Sequence, residues 1–329
     1  MKKIALEEAM MPPDLIDKLG SHLVNKSLVK LKDELIDLTG KRIDIMDKFD
    51  IEKTVLSLTS PGLEGISDSN KTIDCAIAWN DHLAEGIVNH TNRLRGFATL
   101  PMNHPEAATK ELERCIKELG FVGALVNGFT DAGGIAPLHY DDKSYIPFWQ
   151  TLEKLDVPFY IHPRNPLSPK NYSEFYDDYP QILGSQWGFH VETGEHALGL
   201  ILSGLFDVCP DLKIVIGHMG EMITFWARRV DHRLQMEHQQ ILSAFTGEPL
   251  KHSVEHYLKQ NFHITTSGFF DDASLIHNID VMGIDKICFS IDYPYEYAKT
   301  ACDWFDKLQL PEADKFKIAY DNAAKLLKI

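Results

Sequence analysis

The chain has 329 residues, 44% of them hydrophobic and 25% charged, with a net charge of −15. This is an ordinary globular balance, and the acidic surplus argues against nucleic acid as a partner, because phosphate binding needs concentrated Lys and Arg. No apolar run approaches the roughly 20 residues a membrane span needs and the N-terminus lacks a basic-then-apolar leader, so no membrane role and a cytoplasmic location are expected.

Eight short apolar runs are predicted strands, at about 3–7, 53–58, 95–100, 121–126, 157–162, 212–217, 262–267 and 286–291. Most are continuous in Val, Ile, Leu and Phe rather than alternating, the pattern of strands covered on both faces. Helical patterns separate most of them, near 70–90, 105–119, 144–155, 192–207, 221–242 and 272–282, with closing helices near 298–307 and 312–327. The clearest opens on Pro105, carries its apolar stripe on Ala108, Leu112, Cys115, Ile116 and Leu119, and stops at Gly120. Such alternation predicts an α/β fold, a (β/α)8 TIM barrel that takes up residues 1–329 as one domain. Residues 8–52 and 163–191, after the first and fifth strands, are too long for simple connections and are candidate lids or pocket walls. The five cysteines are scattered and none lies in a CxxC pair, so buried free thiols are expected rather than disulfides or a structural zinc site.

In a parallel barrel all strands end on one rim, so residues far apart in sequence converge there. Glu7 closes the first run, His162 the fifth, His218 the sixth and Asp292 the eighth, with Arg164 two residues beyond His162. Two carboxylates and two histidines on one rim suggest a metal site with an acid/base group beside it. Each has a plainer reading: Glu7 as a surface charge, His162 as a structural histidine, Asp292 as a loop cap. His218-Met219-Gly220-Glu221 reads as a helix start in which Glu221 either holds the imidazole in one tautomer or merely favours the helix dipole. Asn127, after the fourth strand, also falls on the rim. Arg229 either reaches back over the pocket or forms a surface ion pair.

At these residues the chain resembles decarboxylases of the amidohydrolase superfamily that act on ortho-hydroxybenzoates. The resemblance runs nearly full length and is carried by Lys3–Glu8, Gly123–Asn127, Leu155–Pro166, Gly217–Glu221 and Phe289–Pro294. It implies an amidohydrolase-type barrel holding one divalent metal ion per chain, zinc, manganese or magnesium, and assembled as a homodimer or homotetramer. It implies that Glu7, His162 and Asp292 hold the metal, that His218 with Glu221 forms an acid/base pair, and that Asn127 and Arg229 face substrate. A second metal-binding histidine of many superfamily members is replaced by Ala9, as in the 2,3-dihydroxybenzoate group, whereas Val126-Asn127-Gly128-Phe129 is more similar to the γ-resorcylate (2,6-dihydroxybenzoate) group.

The expected activity is therefore reversible, non-oxidative decarboxylation of a small aromatic carboxylate, as by a carbon–carbon lyase. The metal would chelate the carboxylate and the adjacent phenolate, Arg164 or Arg229 would hold remaining negative charge, and Asp292 or the His218/Glu221 pair would protonate the ring carbon. The rivals are a metal-dependent ester or lactone hydrolase on the same barrel and a metal-binding scaffold without turnover.

Overall fold

The computed structural model describes the chain except residues 20–23, 25, 67, 132–136, 167–177 and 238–239. The eight strands of the barrel are β1 (Lys3–Met10), β2 (Ile51–Leu58), β3 (Leu94–Gly96), β4 (Ala124–Asn127), β5 (Phe159–His162), β6 (Ile214–Ile216), β7 (Phe262–Thr265) and β8 (Ile287–Cys288). Strands β1 to β3 form one parallel sheet and β4 to β8 another, each strand beside its neighbour in sequence. Two seams join them into a ring. Ala98 bridges Ala124, with Leu125 N–H donating to the Ala98 carbonyl at 3.0 Å. Glu8 bridges Tyr293, with Ala9 N–H donating to the Tyr293 carbonyl at 2.8 Å. The expected barrel is thus closed by hydrogen bonds all round.

The continuous apolar runs follow from a two-layer core. Ile4, Leu6, Val55, Phe97, Leu125, Tyr160, Val215 and Cys288 form one cluster, into which the C-terminal helix Asn322–Leu327 inserts Ala323, Leu326 and Leu327. The alternate residues, among them Ala5, Leu56, Val126, Ile161, Ile214 and Ile264, face the helices in the larger cluster. Strands buried on both faces cannot show a polar alternation. All five cysteines are buried and free, as expected.

The helices of eight or more residues are α1 (Lys41–Lys48), α2 (Ser69–Ile87), α3 (Pro105–Lys117), α4 (Ile146–Leu155), α5 (Gly188–Leu202), α6 (Ile223–Met236), α7 (Val254–Asn261), α8 (Asp272–Met282) and α9 (Ala298–Lys307). No helix among the described residues is long and apolar enough to cross a membrane. The helix expected at 192–207 starts earlier, at Gly188, and is broken by Gly204, whose φ of 82° no right-handed helix accommodates. Helix α7 was not anticipated. Its buried stripe of Val254, Tyr257, Leu258 and Asn261 ends in a polar residue, which is buried because its amide donates to the Pro210 and Leu212 carbonyls at 2.8 and 3.0 Å.

Of the two long connections, the described residues between β1 and β2 form three short helices and α1, with Lys32–Ile36 packed against β1 and α1 against β2. In 163–191, residues 167–177 lie outside the described set, and Pro180–Leu183 forms a 3₁₀ turn before α5.

Candidate active site

The strand register sets where each carboxylate of β1 points. Between Ala5 and Glu8 the pairing with β2 slips by one residue, a bulge that breaks the alternation begun by Ile4 and Leu6. Both glutamates are consequently buried, in different surroundings. Glu7 Oε2 accepts hydrogen bonds from the hydroxyls of Tyr160, Ser267 and Thr265. Glu8 accepts from the backbone N–H groups of Ile291 and Tyr293 at 3.0 and 3.1 Å, pinning β1 to the loop that carries Asp292. Burial pushes Glu8 up to about 8, against the lowering effect of those amides and of Arg42.

The other oxygen of Glu7 lacks what Oε2 has. Oε1 is buried with no hydrogen-bond partner among the described residues, yet it lies 3.3 Å from His162 Nε2 and 3.6 Å from His218 Nε2. Asp292 Oδ2 is 3.6 Å from the same His218 nitrogen. A buried carboxylate oxygen without a donor, facing imidazole nitrogens and a second carboxylate, is an arrangement that a divalent cation completes. One group that could hold such an ion is Glu7, His218 and Asp292, with ligand atoms within 4.8 Å of one another; His162 adjoins it through Glu7. Protonation separates the two histidines. Burial holds His162 below its ordinary pKa, which keeps a ring lone pair available. Burial also opposes the charged form of His218, but the carboxylates of Glu221, Glu7 and Asp292 outweigh it and raise that imidazole well above its ordinary value. Asp292 is pushed up to about 7 by burial, with the charge of Glu7 adding and His218 opposing.

The segment after β6 is not the helix start expected from its sequence. His218, Met219, Gly220, Glu221 and Met222 all have positive φ, from 46° to 87°, and α6 begins only at Ile223. This left-handed turn is closed by Gly220 N–H donating to the Gly217 carbonyl at 2.7 Å and anchored by Met219 N–H on the Thr265 carbonyl at 2.9 Å. It sets Glu221 Oε1 2.6 Å from His218 Nδ1, so the pair forms by a backbone conformation that non-glycine residues adopt only at a cost. Burial alone would raise Glu221, but the charge of His218 and the hydrogen bonds with His190 and His218 bring it down to about 2, leaving it ionised.

Above these groups opens a cavity of about 1,120 Å³ whose described lining includes His162, His218, Asp292, Trp187, Phe189 and Tyr295. The expected lid segment does form one wall, from Gly184 to His190. Tyr293, next to Asp292, does not line the cavity and lies under the Arg42 guanidinium at 4.9 Å.

Three candidate substrate-facing residues are placed elsewhere. Arg164 is buried beneath the rim, donating to the Glu64 and Phe129 carbonyls at 2.8 and 2.9 Å with its guanidinium 4.4 Å over the Phe129 ring; its neighbour Asn165 reaches the cavity instead. Asn127 is fully buried beside His162 in the strand register, its amide donating to the Leu58 carbonyl at 3.1 Å. Arg229 is exposed on the second turn of α6 and does not line the cavity within this chain. A further group, His139, Glu192 and His196, could also hold an ion, but none of the three lines the cavity, and Glu192 Oε2 is turned toward Gly128 and the Arg164 side chain. Sequence reasoning missed His190, whose Nδ1 lies 2.6 Å from Glu221 Oε2, and the hydroxyls around Glu7; lone His, Ser, Thr and Tyr residues inside apolar elements carry no local signal.

Comparison with known proteins agrees with this geometry. The amidohydrolase family model matches residues 43–329. The chain is 44% identical over 328 residues to the γ-resorcylate decarboxylase of a Polaromonas species, covering 99% of this chain and 98% of that one. Among solved structures it is similar to 2,6-dihydroxybenzoate decarboxylase from Rhizobium, with a TM-score of 0.91 and 43% identity over 100% of this chain and 99% of that one. It is also similar to a dihydroxybenzoic acid decarboxylase from Polaromonas with bound manganese and the inhibitor 2-nitroresorcinol, with a TM-score of 0.90 and 44% identity over 99% of this chain and 97% of that one.

Proposed function

The chain belongs to the amidohydrolase family, and on that premise we propose that it is a metal-dependent carboxy-lyase removing carbon dioxide from an ortho-hydroxybenzoate, with 2,6-dihydroxybenzoate as the foremost substrate. The observation that carries this reading is the unpartnered Oε1 of Glu7, facing His162 and His218 at the floor of an aromatic-walled cavity, in a chain alike over its full length to decarboxylases of that acid.

Glu7, His162 and Asp292 are the proposed ligands of one divalent ion. His218, whose Nδ1 is held by Glu221, is assigned to proton handling beside the ion rather than to the ligand set. When bound, the ion supplies positive charge that orients the carboxylate and lowers the pKa of the neighbouring phenol. Trp187 and Phe189 offer faces for a planar ring and exclude water from one side of it. Asp292 carries the proton destined for the ring carbon that bears the carboxylate. His218 Nε2, 3.6 Å from Asp292 Oδ2 and held by Glu221, is placed to replace that proton. The new carbon–hydrogen bond forms first, the carbon–carbon bond then breaks, and carbon dioxide leaves as the ring regains aromaticity. The exposed Phe225 and Trp226 at the cavity rim support assembly of identical subunits, which light scattering tests.

Carbon dioxide release and ultraviolet loss of substrate would be followed with 2,6-dihydroxybenzoate, 2,3-dihydroxybenzoate and salicylate, before and after chelation. Turnover of 2,6-dihydroxybenzoate that chelation abolishes and manganese restores is expected. Failure of the metal-loaded protein on all three sinks the proposal, and a panel of esters and lactones then tests the hydrolase alternative.

A further inference from the structure

Glu221 is wholly buried, and each of its oxygens meets a different imidazole. Oε1 lies 2.6 Å from His218 Nδ1 and Oε2 lies 2.6 Å from His190 Nδ1. The remaining nitrogen of His190, Nε2, is 2.9 Å from the Ser185 carbonyl oxygen. Both atoms that face His190, a carboxylate oxygen and a carbonyl oxygen, are acceptors, so a ring N–H can donate to either. The two rings stand 5.6 Å apart at 70°, so neither shields the carboxylate from the other.

His190 comes from the first turn of α5, whereas His218 and Glu221 belong to the left-handed turn after β6. The clamp on Glu221 is therefore built from two elements far apart in the chain. Without His190, Oε2 would be a buried acceptor lacking its nearest donor, and the carboxyl group would gain by rotating toward any other. Rotation would take Oε1 off His218.

We propose that His190 is a positioning residue that holds the second oxygen of Glu221 so that the first stays on His218 Nδ1 and the Nε2 face of His218 stays aimed at Asp292. The inference rests on the decarboxylase reading above and deepens it by adding a third member to the His218/Glu221 pair. His190 also lines the cavity next to Phe189, and Ser185, its anchor, belongs to the same wall. Contact of a substrate ring with that wall bears directly on the segment that fixes the pair.

The test compares manganese-loaded wild type with His190→Leu, which removes both ring nitrogens at similar volume, and His190→Asn, which keeps an amide N–H near the place of Nδ1. Thermal unfolding checks that each variant is folded. For His190→Leu, kcat is expected to fall about 10-fold, as for loss of other residues that orient a catalytic group, with KM within about twofold; His190→Asn recovers most of the loss. A kcat for His190→Leu within about twofold of wild type, or an Asn variant as slow as the Leu variant, overturns the proposal. A crystal structure of His190→Leu supplies a readout that needs no substrate. Glu221 turned away from His218 is expected there, and an intact contact overturns the proposal. If His190→Leu does not fold, the structure of His190→Asn decides: the Asn amide donating to Glu221 is expected, and a Glu221 that keeps its place without that donor overturns it. A wild type inactive on every hydroxybenzoate removes the functional reading alone, and the structural readout still decides the role of His190.

Discussion

At the scale of single residues, the site separates groups by environment rather than by type. Glu7 and Glu8 are adjacent and both buried, yet three hydroxyls and an open oxygen surround one, while backbone amides and Arg42 engage the other. His162 is partly buried and His218 buried, and only His218 has a carboxylate at Nδ1. Asp292, 3.6 Å from His218 Nε2, is the residue on which the proposed chemistry places the proton. Asp292→Asn is expected to lower turnover by about 10²-fold or more, with bound metal measured in the same samples. Near-wild-type turnover with metal retained would remove Asp292 from the proposed proton path. Glu7, His162, His218 and Asp292 were legible because each closes an apolar run. Arg164 looked equally eligible, but its long side chain turns back beneath the rim to two carbonyls, a choice that sequence spacing does not record.

At the scale of elements, the turn after β6 matters most. Its left-handed backbone displaces the start of α6 by two residues from the predicted position, to Ile223, and brings His218 and Glu221 onto one face. Just before it, Gly217 lets the strand end pass close to Glu7. A Cβ there would lie 2.7 Å from Glu7 Oε2 and 3.1 Å from both the Ser267 and Tyr160 hydroxyl oxygens. Gly217→Ala is therefore expected to displace the carboxylate and weaken metal binding about 10- to 100-fold, the usual cost of disturbing the groups that orient a ligand. Competition with a chelator of known affinity measures this; unchanged binding would mean that Glu7 does not depend on that close approach. The sequence reads this segment as a helix start rather than a turn, because a Gly in a short stretch after a strand fits a right-handed helix start equally well.

At the scale of the whole molecule, the ring of eight strands gathers acidic groups from opposite ends of the chain into one buried rim. Glu8 at about 8 and Glu64 and Asp292 at about 7, each raised chiefly by burial, have folded values above their ordinary ones. Groups of that kind contribute stability at low pH that is lost as pH rises through the folded value. His162, His196 and His263 are lowered, chiefly by desolvation, so they act in the opposite sense, and their effect is complete once pH exceeds the ordinary histidine value. The metal-free protein is thus expected to melt at a lower temperature at about pH 8.5 than at pH 7, and Glu8→Gln to reduce the difference. A melting temperature that is flat or rises over that interval would contradict the assignment of these carboxyls as net costs when ionised.

The order of the eight barrel strands and of most helices was determined by the sequence alone, because burial on both faces demands continuous apolar runs, although α7 escaped it and β1 runs past Glu7 to Met10. The tertiary structure decided which neighbouring groups those residues meet. The slip in register at β1, the left-handed turn after β6 and the arrival of His190 from α5 depend on backbone conformations and contacts between segments distant in sequence, and no local pattern of residue types encodes them.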